Sequence, residues 1–273
     1  MIIPKANKLD SSQLQEIESI VGEFDCTILE IQGHNQCVYA ILGDETHALM
    51  FKRIAGLSFV RKVDAIESPY KLMDRRSALS EHQVQLGISK LGMDSPFIIG
   101  GPCTIDPQNP SLFIETAHAL KEVGVNALRG GVWKPRTNPY SYQGDNQAIE
   151  IILQAREETG LPIDLEVMDS DQLKIALDAK VDILQVGTRN ALNYSLLKEI
   201  GKLSAGSGSG VLLKRGRHVA SPDEFIAAAE YIVAAGNPNV MLCPRGTTPP
   251  LDGYRNHPDG SINPLLKNSK WAH

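Results

Sequence analysis

The spacing of apolar residues changes character near residue 97. Before it, Leu14, Ile17, Ile20 and Val21 recur three and four residues apart behind Ser11 and Ser12. That spacing predicts a helix capped by one of the two serines and running to Val21. Cys26–Ile31 and Gln36–Leu42 then read as strands joined by the polar run at 32–35. A short helix from Thr46 to Ile54 and a strand from Phe59 to Ile66 follow. With a brief first strand at Ile2 and Ile3, the order is β-α-β-β-α-β, that of a ferredoxin-like unit spanning residues 1–65. His34 and His47 stand alone in or near loops and read as solvated side chains, not ligands. With no concentrated chemistry, this unit is expected to be a regulatory or assembly module. Residues 66–95 read as a linker with a short hairpin from Val84 to Leu91.

From Phe97 on, apolar runs of strand length alternate with helical spacing. The strands are expected at 97–100, 126–129, 163–167, 183–187, 211–214 and 240–243, with helices near 111–123, 146–158, 170–178, 193–200 and 222–235. Such alternation points to a parallel α/β sheet. Polar groups recur at or just past the strands: Cys103, Arg129, Glu166, Gln185 with Arg189, Lys214, and Arg245. Chemistry gathered at strand C-terminal ends is the habit of a TIM (β/α)8 barrel. No Gly-x-Gly-x-x-Gly follows the first strand, which disfavours a dinucleotide fold. Six strands are visible in 96–273, two βα units short of eight, so the barrel domain reads as C-terminally incomplete. The exposed edges of an open barrel predict poor solubility or homo-oligomer formation.

Composition narrows the function classes. With 42% hydrophobic and 22% charged residues over 273, the chain has the make-up of a globular protein with a real core. A net charge of −5 argues against general nucleic-acid binding. Cys26, Cys37, Cys103 and Cys243 lack Cys-x-x-Cys spacing and read as reduced thiols. The N-terminus gives no signal peptide, and no apolar run approaches the ~20 residues needed to span a membrane. A cytoplasmic location is expected.

Against that acidic background, the stretch from Leu128 to Thr137 stands out. Arg129, Lys134 and Arg136 sit within eight residues, beside Gly130, Gly131 and Thr137. Arginine offers a planar fork for phosphate oxygens, lysine a compact charge, and glycine a close backbone approach. With Arg189, Lys214 and Arg245, these cations would repel one another in an empty site, and an anion with more than one acidic group resolves that. Cys103, in Gly-Gly-Pro-Cys, reads equally as a small buried hydrophobe or a thiolate metal ligand.

Five ordered motifs carry a specific resemblance: Gly100–Cys103, Leu128–Gly144, Gln185–Asn190, Leu213–Gly216 and Cys243–Gly246. From about Ser95 onward the chain resembles the 3-deoxy-D-arabino-heptulosonate 7-phosphate (DAHP) synthases, type I-beta, which lie close to the 3-deoxy-octulosonate 8-phosphate synthases. The N-terminal unit resembles the ferredoxin-like regulatory domain that some members carry. The resemblance implies condensation of phosphoenolpyruvate with erythrose 4-phosphate, the first step of aromatic amino-acid synthesis. It implies that Arg129, Lys134, Arg189, Lys214 and Arg245 hold phosphoenolpyruvate, with Glu166 and Gln185 adding polar contacts. Lys134, Pro135, Arg136 and Thr137 would bind the sugar phosphate and select erythrose 4-phosphate over arabinose 5-phosphate. It further implies a divalent metal with Cys103 as one ligand, and an aromatic amino acid as effector. The family's remaining His, Glu and Asp ligands have no counterpart in this chain. Pro244 stands where the family has Glu, and Pro258–Gly260 lengthens the loop after it.

Overall fold

A computed structural model describes residues 1–32, 36–43, 47–64, 70–74, 77, 79, 82–86, 89–91, 96–216, 219, 221–246 and 257–268. His34, residues 65 and 66 of the expected fourth strand, the run at 247–256 and His273 lie outside them. The chain opens with β1 (Ile2–Pro4), α1 (Ser11–Gly22), β2 (Thr27–Gln32), β3 (Cys37–Leu42), α2 (Ala48–Ala55) and β4 (Val60–Val63). The first helix starts one residue earlier than the serines suggest. Asp10 is its cap, accepting from the Gln13 backbone N–H at 2.9 Å, while the Gln13 side chain accepts from Asp10 N–H at 3.1 Å. This reciprocal box satisfies two otherwise orphaned donors, and it places Ser11 and Ser12 inside the first turn.

The four strands lie in the order β2-β3-β1-β4, every neighbouring pair antiparallel. Residues Cys37–Ile41 of β3 are buried on both faces. Cys37, Tyr39 and Ile41 pack with Ile17, Met50 and Ile54 of the two helices. Val38 and Ala40 face the other way, into a core shared with Tyr70, Leu72 and Met73. The stretch read as linker is therefore built into the packing at residues 70–73. Glu230 of a later helix accepts backbone N–H bonds from Lys71, Leu72 and Met73 at 2.8, 2.8 and 2.9 Å. The Tyr70 hydroxyl donates to Asp223 at 3.1 Å.

The expected hairpin forms as β5 (Gln85–Leu86) and β6 (Ser89–Lys90), paired antiparallel. Then come β7 (Ile99–Gly100), α3 (Pro110–Glu122), β8 (Ala127–Arg129), α4 (Ala148–Thr159), β9 (Ile163–Val167), α5 (Ser170–Asp178) and β10 (Ile183–Val186). After a 3-10 turn at Thr188–Asn190 follow α6 (Tyr194–Leu203), β11 (Gly210–Lys214), α7 (Pro222–Ala234), β12 (Val240–Cys243) and α8 (Ile262–Asn268). The six strands β7 to β12 pair in chain order, all parallel, as helix crossovers between neighbouring strands require. The last helix was not anticipated in its Gly/Pro/Asn-rich surroundings. Its signal is short: Ile262 and Leu266, four residues apart, are the buried pair in the main core.

Period-two alternation assigns the sheet's faces. Leu128, Leu165, Leu184, Val211 and Leu213 join the helix-side core. Ala127 and Ile183 face the other way, where Val84 and Leu86 of the hairpin segment close over them with Leu212 and Met241 alongside. The hairpin thus floors the inner face at the strands' N-terminal end. Gly210 makes room for it, since a Cβ there would lie 2.5 Å from Leu86 Cδ2.

Candidate active site

The same alternation brings polar groups inward at the C-terminal end. In β9 the apolar Ile163, Leu165 and Val167 point to the helices, leaving Asp164 and Glu166 on the inner face, 1% and 8% exposed. Asp164 lies opposite Arg129 in the register of β8 and β9. Arg129 Nη2 stands 3.7 Å from Glu166 Oε2, and its Nη1 donates to the Pro102 carbonyl at 3.3 Å. Glu166 also lies over Gly187, where a Cβ would come within 2.0 Å of its Oε1. Gln185, one strand further, is buried with both amide atoms unpartnered among the described residues.

Lys134 enters the site from the loop after β8. It is buried although charged, and Nζ donates to Cys103 Sγ at 3.1 Å. Its backbone N–H donates to Gln143 O at 2.6 Å, next to the bridge between Trp133 and Gly144. The Trp133 indole N–H donates to Asn146 at 2.6 Å, which ties down the loop that carries the lysine. Gly131 is required beneath it, because a Cβ would meet Cys103 O at 2.1 Å. Cys103 is exposed, so it is no core hydrophobe. Arg129 chiefly, and then Lys134, hold its thiol down at about 7, against the opposing effect of partial burial. Pro135 is half-buried and marks the step from Lys134 inside to Arg136 at the surface. Arg136 is held by Tyr142 O at 3.1 Å and reaches Thr104 Oγ1 at 3.5 Å.

Two further cations hold threonines at the rim. Arg189 donates to Thr137 Oγ1 at 3.2 Å, and Arg245 to Thr188 Oγ1 at 3.2 Å. Lys214, at the end of β11, acts electrostatically on Asp164 and Cys243. The expected mutual repulsion of the cations is therefore moderated from within, since Glu166 stands against Arg129 and Asp164 against both Arg129 and Lys214.

Two charged residues escaped the sequence reading. Asp164 is two residues from Glu166, and strand alternation places the two on one face. Burial raises its carboxyl to about 7, against the pull of Arg129 and Lys214. Arg215 sits beside Lys214 but is 3% exposed and turned elsewhere. Its Nε donates to Val219 O at 2.9 Å, and its guanidinium pairs with Asp259. Ser261 and then Arg215 hold the Asp259 carboxyl below its usual range. The Pro258–Gly260 insertion is thereby pinned to the end of β11.

Among the described residues no three His, Cys, Asp or Glu side chains come together. Cys103 is the one expected ligand, and Lys134 already contacts it. These residues do not by themselves fit a divalent metal.

A parallel α/β sheet with cations collected at its C-terminal edge defines an α/β protein whose site is suited to anions. Comparison with known proteins is more specific. The family model described as DAHP synthetase I family matches residues 78–257. The phospho-2-dehydro-3-deoxyheptonate aldolase of Thermotoga maritima is 37% identical over 238 residues, covering 86% of this chain and 68% of that protein. The 2-dehydro-3-deoxyphosphooctonate aldolase of Caulobacter vibrioides is 32% identical over 159 residues, 55% of this chain and 53% of that one. The crystal structure of the Thermotoga DAHP synthase superposes with a TM-score of 0.68 at 31% identity, covering 99% of this chain and 76% of that one. This chain belongs to the DAHP synthetase I family. It spans just over half the length of its Caulobacter relative.

Proposed function

We propose that the protein condenses phosphoenolpyruvate with erythrose 4-phosphate and water, giving DAHP and inorganic phosphate at the entry to aromatic amino-acid synthesis. C3 of phosphoenolpyruvate forms a bond to the aldehyde carbon, water adds at C2, and the C2–O bond to phosphate is broken. Two polyanions must be brought together, so charge neutralisation and alignment dominate the protein's task. The carrying observation is the cationic inner edge. Arg129, Lys134 and Lys214 lie deepest and suit phosphoenolpyruvate, with Glu166 standing against Arg129 and Gln185 offering a further polar contact. Arg136, Thr137 and Arg189 lie at the rim and suit the sugar phosphate, and Arg245 closes the far side through Thr188.

The family generally uses a divalent metal as Lewis acid. The described donors do not form such a site. The element order and β2-β3-β1-β4 sheet of the N-terminal unit support a ferredoxin-like reading, and by family resemblance the unit is proposed to be regulatory, with an aromatic amino acid as effector. The parallel strands support a TIM-type barrel, and the protein is proposed to work in the cytoplasm as a homo-oligomer. Among the described residues no helix is long and apolar enough to cross a membrane.

The test is phosphate release from phosphoenolpyruvate with either aldose phosphate, with and without divalent metal. Turnover with erythrose 4-phosphate supports the proposal. Preference for arabinose 5-phosphate would make the protein an octulosonate-phosphate synthase. Binding without turnover would favour a non-catalytic homologue.

A further inference from the structure

Inside the sheet, among the residues assigned to phosphoenolpyruvate, sit two buried polar groups without hydrogen-bond partners among the described residues. Asp164 is 1% exposed, and its Oδ1 has no hydrogen-bond partner among the described residues. Gln185, on the adjacent strand, is equally buried, with both amide atoms unsatisfied. Below them the inner face is apolar, formed by Ala127, Ile183 and Leu86. An ionised carboxylate in such a place is costly unless nearby cations compensate it.

The titratable groups acting on Asp164 come from four strands of the sheet. Arg129 projects from β8, Glu166 from β9 itself, Lys214 from β11, and the Cys243 thiol from β12. Around Asp164, Arg129 and Lys214 stand against two carboxylates, while Lys134, the third deep cation, donates to Cys103. A phosphorylated carboxylic acid entering at Arg129 and Lys214 upsets this arrangement and leaves the interior with surplus negative charge. One carboxylate must then give way. Glu166 is 8% exposed and lies at the more open end, whereas Asp164 is 1% exposed, and its Oδ1 has no donor among the described residues.

We propose that Asp164 is a positioning residue that serves as counter-charge to Arg129 and Lys214 in the empty site and takes up a proton from solvent when phosphoenolpyruvate claims those cations. The proton neutralises the displaced carboxylate, and the new carboxylic acid can donate a hydrogen bond to its unpartnered surroundings. Burial already places Asp164 near neutrality, so the exchange falls in a working pH range. The inference rests on the functional reading above.

The experiment is calorimetric titration of phosphoenolpyruvate into the full chain, in buffers of different ionisation enthalpy, at about pH 8. There the ligand's own phosphate is fully ionised. Uptake approaching one proton is expected, with affinity weakening by up to about tenfold per pH unit as pH rises above about 7. Asp164→Asn should abolish the uptake and flatten the pH dependence, and Asp164→Ser serves if that variant does not fold. Cys103→Ser should keep the uptake, because the thiol is the other group near neutrality that faces Arg129 and Lys134. Binding by the unaltered chain without proton uptake overturns this inference alone, as does uptake that survives in Asp164→Asn. No binding at all overturns the functional reading, and this inference with it.

Discussion

The N-terminal antiparallel sheet keeps its ion pairs in water, as in Lys8 with Glu30 and Arg53 with Glu23, while its two faces bury apolar side chains. The parallel sheet spends one face in the same way but lines the other with Asp164, Glu166, Gln185, Arg129 and Lys214. Charges in water can be lost with little consequence, because solvent replaces the partner. Charges drawn inward must be matched to each other and to something that arrives. Buried polar groups without partners therefore mark the working face more sharply than the number of charges does.

Removing a working cation tests that contrast most severely. Arg129→Ala or Lys134→Ala should lower phosphate release by about a hundredfold or more, with the thermal transition largely kept. A loss below about threefold would mean that the inner face is structural. Next comes Gly187→Ala. Its Cβ has no space beside Glu166 Oε1, so the carboxylate must move off Arg129. Steady-state kinetics should show about a tenfold rise in KM for phosphoenolpyruvate.

Glu230→Ala strips three backbone N–H groups of their acceptor. Chemical denaturation should show a loss of about 2–3 kcal/mol, beginning with exchange protection at residues 71–73. A milder effect is expected in thiol chemistry. Because the Cys103 pKa is depressed from 9.0 to about 7, its thiolate persists down to neutrality and is lost as pH falls further. Alkylation should be half-maximal near pH 7, and Lys134→Met should move that midpoint upward; buried Cys26 and Cys37 should lag. Smallest of all, Arg53→Ala should leave the melting temperature unchanged within error, since its pair with Glu23 is solvent-exposed.

Much of this was legible in the sequence. Strand spacing located β9 and β12 to the residue and the other four parallel strands to within two, because buried parallel strands are short apolar runs between clear helices. The cations at strand ends were legible for the same reason. What escaped was set by partners distant in sequence. Asp10 outcompeted the serines as cap through Gln13, and Arg215 left the site for Asp259, 44 residues away. Asp164 was hidden in plain alternation: an acidic residue inside an apolar run reads as an interruption until its face is known. The pairing of Cys103 with Lys134 spans 31 residues, and no local pattern announces it.

The apolar floor laid by Val84 and Leu86 has an electrical consequence. A low-dielectric layer behind Arg129 and Lys214 prevents their field from spreading backwards into solvent, so it emerges through the open C-terminal end. A chain carrying −5 overall can thus present a positive aperture to passing anions. Capture rates should fall steeply as ionic strength rises, even though the molecule as a whole repels what it collects.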